Sequence, residues 1–141
     1  FQYKGTILDN VKVIDDYAHH PTEITATISA AKMTDYNELW VVFQPHTYTR
    51  TYALLNDFAA ALKECDHVIV ADIYAAREKH TGLVSSSELA DKIAAYGTDA
   101  FYLPTFVDME NYLLKNLKKN DLLITMGAGN VDSIGNDLIK K

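Results

Sequence analysis

Val11-Lys12-Val13-Ile14-Asp15-Asp16-Tyr17-Ala18-His19-His20-Pro21-Thr22-Glu23-Ile24 reads as a strand, a short loop and the start of a helix. Val11 to Ile14 is a short run rich in β-branched residues, which suit a pleated surface, and it ends at the first carboxylate. Pro21 suits the first helical turn, where its missing N–H costs nothing. From about Thr22 to Met33 the chain is rich in alanine, with Ile24 and Ile28 at helical spacing. Two carboxylates, a phenol and two imidazoles therefore crowd one strand-to-helix loop. In open α/β sheets, ligands bind at such loops, beyond the carboxyl ends of the strands. A plainer reading makes the stretch a helix start capped by Asp15, Asp16 or Thr22, with its histidines on the surface. On residue types alone, both readings stand.

Working outward, residues 2–8 read as a strand joined to the 11–14 strand at Asp9-Asn10, a turn-favouring pair. Downstream, Asp35-Tyr36-Asn37 break the first helix, and residues 38–43 form a continuous apolar run that suits a strand covered on both faces. A loop is expected over 44–51, then a helix over 52–64 with Leu55, Phe58, Ala59 and Leu62 on one face. Residues 67–71 read as a strand and 75–83 as a loop. Ser85, with Glu88 three residues on, predicts a capped helix to about Tyr96, followed by Gly97 at its end. A strand over 100–103, a helix over 106–117, a strand over 121–125 and a helix over 131–139 complete the chain. Strands alternating with helices at this spacing predict an α/β fold, a Rossmann-like three-layer sandwich with a mostly parallel sheet and helices on both faces. Residues 1–141 read as a single domain, long enough to bury one core.

Composition narrows the function. A net charge of −6 argues against a nucleic-acid partner, which needs a basic face. No apolar run approaches the roughly 18 residues of a membrane span, so no membrane partner is expected. Cys65 is alone, which removes any internal disulfide framework and points to a small hydrophobe at a helix end in a reducing, cytoplasmic setting. His19, His20 and His46 lack the spacing of a zinc-ligand set, so no metal site is expected in the chain itself. No G-x-x-x-x-G-K-[ST] loop is present to cradle a triphosphate. Gly127-Ala128-Gly129 resembles a dinucleotide loop but carries Asp132 where the third glycine or alanine would stand, so the glycines read as wall-forming. A helix start there would still favour an anion, such as a carboxylate or phosphate.

Four segments recur in the order of a known family. Asp15-Asp16-Tyr17-Ala18-His19-His20-Pro21 resembles DDYxHHP, and Phe43-Gln44-Pro45-His46-Thr47-Tyr48-Thr49-Arg50-Thr51 resembles FQPHxYxRT. Asp72-Ile73-Tyr74-Ala75-Ala76 and Thr125-Met126-Gly127-Ala128-Gly129-Asn130 are similar to two later motifs. The family is the Mur ligases that add L-alanine to UDP-N-acetylmuramate, and the resemblance is to their C-terminal domain. With Phe1 at the start, it suggests a piece of a longer protein whose UDP-sugar and ATPase domains lie upstream.

The resemblance implies an ATP- and Mg²⁺-dependent ligase acting through an acyl phosphate in peptidoglycan precursor synthesis. Its partners would be L-alanine, UDP-N-acetylmuramate and the central ATPase domain of the same chain, over which this domain closes; alone, it would be inactive. It implies that Asp16 reaches toward the nucleotide, and that Tyr17 and His19 line the amino-acid pocket. A neutral imidazole can accept a proton from an ammonium near neutral pH, which gives His19 and His46 a catalytic reading. Arg50 offers a planar fork for the alanine carboxylate; its other reading is an arginine packed on Tyr48 and paired with a surface acid. Tyr74, with Ala75 and Ala76, is either a wall of a methyl-sized pocket or a cap on the core. Some relatives carry arginine where this chain has Thr47, and Arg77 is a candidate substitute. Two other readings remain: a ligase that attaches a recycled tripeptide to the same sugar, and a non-catalytic Rossmann-like binding module.

Overall fold

The computed structural model describes residues 1–140. The elements in chain order are β1 (Gln2–Ile7), β2 (Val11–Asp16), α1 (Pro21–Lys32), β3 (Leu39–Phe43), α2 (Tyr48–Ala53), α3 (Leu55–Leu62), β4 (His67–Val70), α4 (Ser86–Ala94), β5 (Asp99–Tyr102), α5 (Phe106–Asn116), β6 (Leu122–Met126) and α6 (Asp132–Lys140). One sheet has the order β1-β2-β6-β3-β4-β5. β1 pairs antiparallel with β2, and every other pairing is parallel.

Alternation along the strands divides the core in two. Ile14, Val41, Phe43, Val68, Ile124 and Met126 face α1, α3 and α4, where Ile24, Phe58 and Leu89 pack on them. Val13, Val42, Ile69 and Leu123 face the other way, against Met109 and Leu113 of α5 and Ile134 and Leu138 of α6. β3 and β6 are buried along their whole length, as continuous apolar runs require. The helices leaving β2 and β3 thus run to one face and the helix leaving β6 runs to the other. This leaves the loops at the carboxyl ends of β2, β6, β3 and β4 gathered along one crevice. Among the described residues, no helix is long and apolar enough to cross a membrane.

Two local expectations change. Asp15 and Asp16 belong to β2, paired with Thr125 and Met126 of β6, because the ladder continues past the apolar run. Helix α1 is capped instead by His20, whose Nδ1 accepts the Thr22 N–H at 3.2 Å, while the Glu23 carboxylate accepts the His19 and His20 N–H groups. The predicted 44–51 loop also contains helix α2, broken from α3 at Leu54 (φ −112°, ψ 19°).

The amino ends of the strands hold polar clusters that serve stability. Asp121, 1% exposed, accepts from Asn37 Nδ2, Glu38 N, Trp40 Nε1 and Lys118 N. Beside it, His67 stacks on Trp40 at 4.0 Å and reaches Glu38 (3.2 Å) and Asp99 (2.7 Å). Burial disfavours the proton on His67, but hydrogen bonds to Asp99 and Glu38 outweigh it and raise the pKa above the ordinary 6.5. A raised folded-state pKa adds stability that is fully present below about pH 6.5 and lost as pH rises through the folded value. Thermal melts of the chain from pH 6 to 8.5 should therefore show a small decline, under about 1 kcal/mol because both acids are partly exposed. His67→Gln should remove that part of the slope; an unchanged slope would refute the assignment.

Candidate functional site

The crevice collects side chains from three loops. After β2, the Tyr17 ring meets His19 edge-on at 5.4 Å, and His19 lies 6.0 Å from His46 of the loop after β3. His46 lies nearly parallel to Tyr74 of the loop after β4, at 5.6 Å and 18°. Tyr17, His19, His46 and Tyr74 thus form one row of rings along the mouth, with Tyr17 69% exposed at its outer end. His20 is not in the row, being spent on the helix cap.

The backbone that sets this row is strained and tightly held. Thr47 has φ 64° and ψ 146°, an unusual conformation for a β-branched residue, costing about 1–3 kcal/mol. Its N–H donates to the Tyr74 carbonyl (2.8 Å), the Tyr74 N–H donates to the Pro45 carbonyl (2.8 Å), and the Thr47 carbonyl accepts from Thr51 N and Oγ1. The loops after β3 and β4 are therefore stitched together beyond the ends of their strands.

His46 is held neutral. Burial lowers its pKa first, then the Arg50 guanidinium and His19, with Glu78 opposing. Its Nδ1 is sealed from solvent without a hydrogen-bond partner. Arg50 lies at the third position of α2, and among the described residues no ion pair or hydrogen bond takes its guanidinium. The packed, acid-paired arginine considered from the sequence is not what the fold builds. Arg77 is exposed, follows Ala76 (φ 56°), and makes no bond to the row.

Asp16 sits at the β2 end of the crevice. Its Oδ1 accepts the Ala18 N–H (2.8 Å), its Oδ2 accepts the Thr27 hydroxyl (3.0 Å), and the Phe1 nitrogen lies 3.0 Å from Oδ2. Asp15 faces the opposite side of the sheet, bonded to Thr125, with its pKa raised chiefly by burial.

Two residues with no assigned role in the sequence reading organise the loops. Gln44, 5% exposed, turns its side-chain oxygen onto the Asn130 and Val131 N–H groups and donates Nε2 to Asn130 Oδ1. Gln44 thereby takes the two amides just ahead of the last helix, while the Ser133 and Ile134 N–H groups bond the Asn130 and Val131 carbonyls. The glycines there leave no room for a side chain. A Cβ on Gly127 would stand 2.7 Å from the Gln44 carbonyl oxygen, and one on Gly129 would stand 2.4 Å from Gln44 Oε1 and 2.8 Å from the Tyr74 ring. Tyr74, 39% exposed, is accordingly a wall between His46 and the glycine loop, not a cap on the core. Glu78, from the loop after β4, bonds to the start of α2. A polar residue ending the buried run at Phe43 was the one available signal for Gln44; Glu78 had none.

Elsewhere, a cavity of 660 Å³ lies toward the amino ends of β2 and β6, lined by Tyr3, Lys12, Tyr36 and Asn120, away from this row. Cys65 is buried just past α3, with its thiol pushed up to about 12 by burial, so it is a packing residue. Among the described residues, no group of three His, Cys, Asp or Glu side chains is placed to hold a metal.

The sequence profile of the Mur ligase, glutamate ligase domain matches residues 1–129. A UDP-N-acetylmuramate–L-alanine ligase from Acetivibrio thermocellus is 54% identical over 140 residues, 99% of this chain and 30% of the relative. The chain thus spans about 30% of the length of the curated relatives it matches. Among solved structures, a UDP-N-acetylmuramate–alanine ligase from Thermotoga maritima superposes with a TM-score of 0.74 at 27% identity, over 94% of this chain and 26% of that one. A murein peptide ligase from Psychrobacter arcticus reaches 0.80 at 24% identity, over 99% of this chain and 28% of that one, a likeness of fold.

Proposed function

The chain belongs to the Mur ligase family, and from that premise we propose that it is the C-terminal, amino-acid-binding domain of a ligase joining L-alanine to UDP-N-acetylmuramate. The observation that supports this most directly is the unpaired Arg50 guanidinium in the same site as His46, whose pKa burial and that guanidinium lower. An amino acid presents a carboxylate and an ammonium together. Arg50 holds the carboxylate by two parallel hydrogen bonds. His46, with its lowered pKa and with His19 in the same row, does not repel the ammonium and can accept its proton, leaving the amine free to attack. Its nitrogen then forms a bond to the carbonyl carbon of an activated carboxylate, whose leaving group departs. On this reading Tyr17 and Tyr74, with the small Ala75 and Ala76 following Tyr74, would suit a methyl side chain.

Gln44 takes the Asn130 and Val131 amides that follow the Gly127-Ala128-Gly129 loop, so they are not offered to a phosphate. ATP and Mg²⁺ belong, on this reading, to an ATPase domain of the longer protein. Asp16 is the group offered toward the nucleotide: the Ala18 N–H and the Thr27 hydroxyl fix its direction, and Oδ1 keeps a second lone pair. Closure of this domain over that one aligns amine and acyl group and excludes water. A cytoplasmic setting follows from the substrates.

The test is ADP release by the full-length protein with ATP, Mg²⁺ and UDP-N-acetylmuramate, comparing L-alanine with the tripeptide L-alanyl-γ-D-glutamyl-meso-diaminopimelate. Turnover is expected with L-alanine, and none from the 141-residue chain alone. Turnover only with tripeptide would reassign the protein to the recycling ligases, and none with either would leave a binding module.

A further inference from the structure

We propose that Glu78 is a positioning residue for the amino-acid end of this site, clamping the first turn of α2 so that Arg50 stays aimed into the crevice and unpaired. The inference rests on the reading of Arg50 as the carboxylate holder. Helix α2 has six residues, too few to persist without outside support. The first N–H groups of any helix lack intrahelical partners. Here Thr47 serves only the Arg50 N–H, at a long 3.4 Å and from a strained backbone. The Tyr48 and Thr49 N–H groups both donate to Glu78 Oε1, and the Thr49 hydroxyl donates to Glu78 Oε2. Backbone bonds between the two loops hold Pro45, Thr47 and Tyr74, all ahead of the helix. Glu78 reaches across from the β4 loop to bond the backbone of the helix's own first turn, immediately before Arg50, where His80 adds only an edge-on ring contact with Tyr48 at 5.3 Å.

The same bonds explain why Arg50 is free. Glu78 and Arg50 both act electrostatically on His46, and a carboxylate in that neighbourhood with free oxygens could pair with the arginine and compete with any incoming carboxylate. Both oxygens of Glu78 are instead committed to α2, an arrangement that the positive end of a helix favours. Those bonds hold the Glu78 pKa below the usual carboxylate range, the Thr49 hydroxyl contributing most. Glu78 thus supplies negative charge to the helix without occupying the guanidinium.

In the full-length protein, Glu78→Ala should raise the KM for L-alanine about tenfold while the KM for ATP stays within about twofold. Glu78→Gln, whose amide oxygen can accept the same two N–H groups, should restore most of the loss. In the 141-residue chain, amide exchange at Tyr48 and Thr49 should quicken about tenfold in Glu78→Ala and much less in Glu78→Gln. An unmoved alanine KM in Glu78→Ala, or an equal rise in the ATP KM, would overturn the clamp while leaving the reading of Arg50 intact. Turnover of the unsubstituted protein that does not depend on L-alanine would overturn both.

Discussion

On the proposed function, Arg50→Ala should raise the KM for L-alanine about a hundredfold in the full-length protein, the ~3 kcal/mol that a charged hydrogen-bonded pair contributes. The guanidinium stands without an ion pair among the described residues, so its removal deletes a ligand contact and little else. Folding stability should accordingly stay within about 0.5 kcal/mol of the starting protein. The KM values for ATP and UDP-N-acetylmuramate should hold, because Asp16, not Arg50, faces the nucleotide on this reading. Arg50→Lys should recover only part of the loss, since an ammonium keeps the charge but not the two-pronged geometry. Initial rates of ADP release across a range of L-alanine concentrations measure all of this. Unchanged alanine KM and turnover in Arg50→Ala would remove the central assignment.

Asp121→Ala should have the largest effect on stability, a loss of about 3 kcal/mol. Four donors converge on this buried carboxylate: Asn37 Nδ2 (2.9 Å), Glu38 N (3.0 Å), Trp40 Nε1 (3.0 Å) and Lys118 N (2.8 Å). They join the turn before β3 to the turn before β6 and tie in the indole between them. Alanine would leave these donors facing an apolar gap, and leaving a buried donor unpaired costs more than a formed bond contributes. For a chain of this size the loss corresponds to a fall in Tm of roughly 10 °C. Trp40 is the one tryptophan, so its fluorescence reports the local change directly. A drop of less than about 1 kcal/mol would mean that water replaces the carboxylate and that the cluster is not a stability element.

Much of the fold was legible in residue order because its signals are local. The apolar runs at Leu39–Phe43 and Leu122–Met126 became the two strands buried throughout, and Ser85 caps α4 through the Glu88 N–H as its spacing predicted. Errors fell where a partner lay far along the chain. Asp15 and Asp16 looked like loop because the strand ladder that claims them comes from β6. Residues 48–51 looked like loop because the carboxylate that starts their helix belongs to Glu78.

The sequence by itself determined the element order, the parallel α/β class, the family, and the residues Tyr17, His19, His46, Arg50 and Tyr74 as candidates. Periodicity, capping and short motifs are read within one turn or one strand, so they survive without coordinates. Only the tertiary structure decided that four of these form a row of rings, that Arg50 stands unpaired on a helix, and that Gln44 ties the loop after β3 to the turn before the last helix. Each of these depends on contacts between residues about 30 to 90 positions apart, such as Gln44 with Asn130 or Tyr48 with Glu78. Such contacts arise from the order of strands in the sheet, which brings the loops to one edge, and no local pattern encodes which loop will meet which.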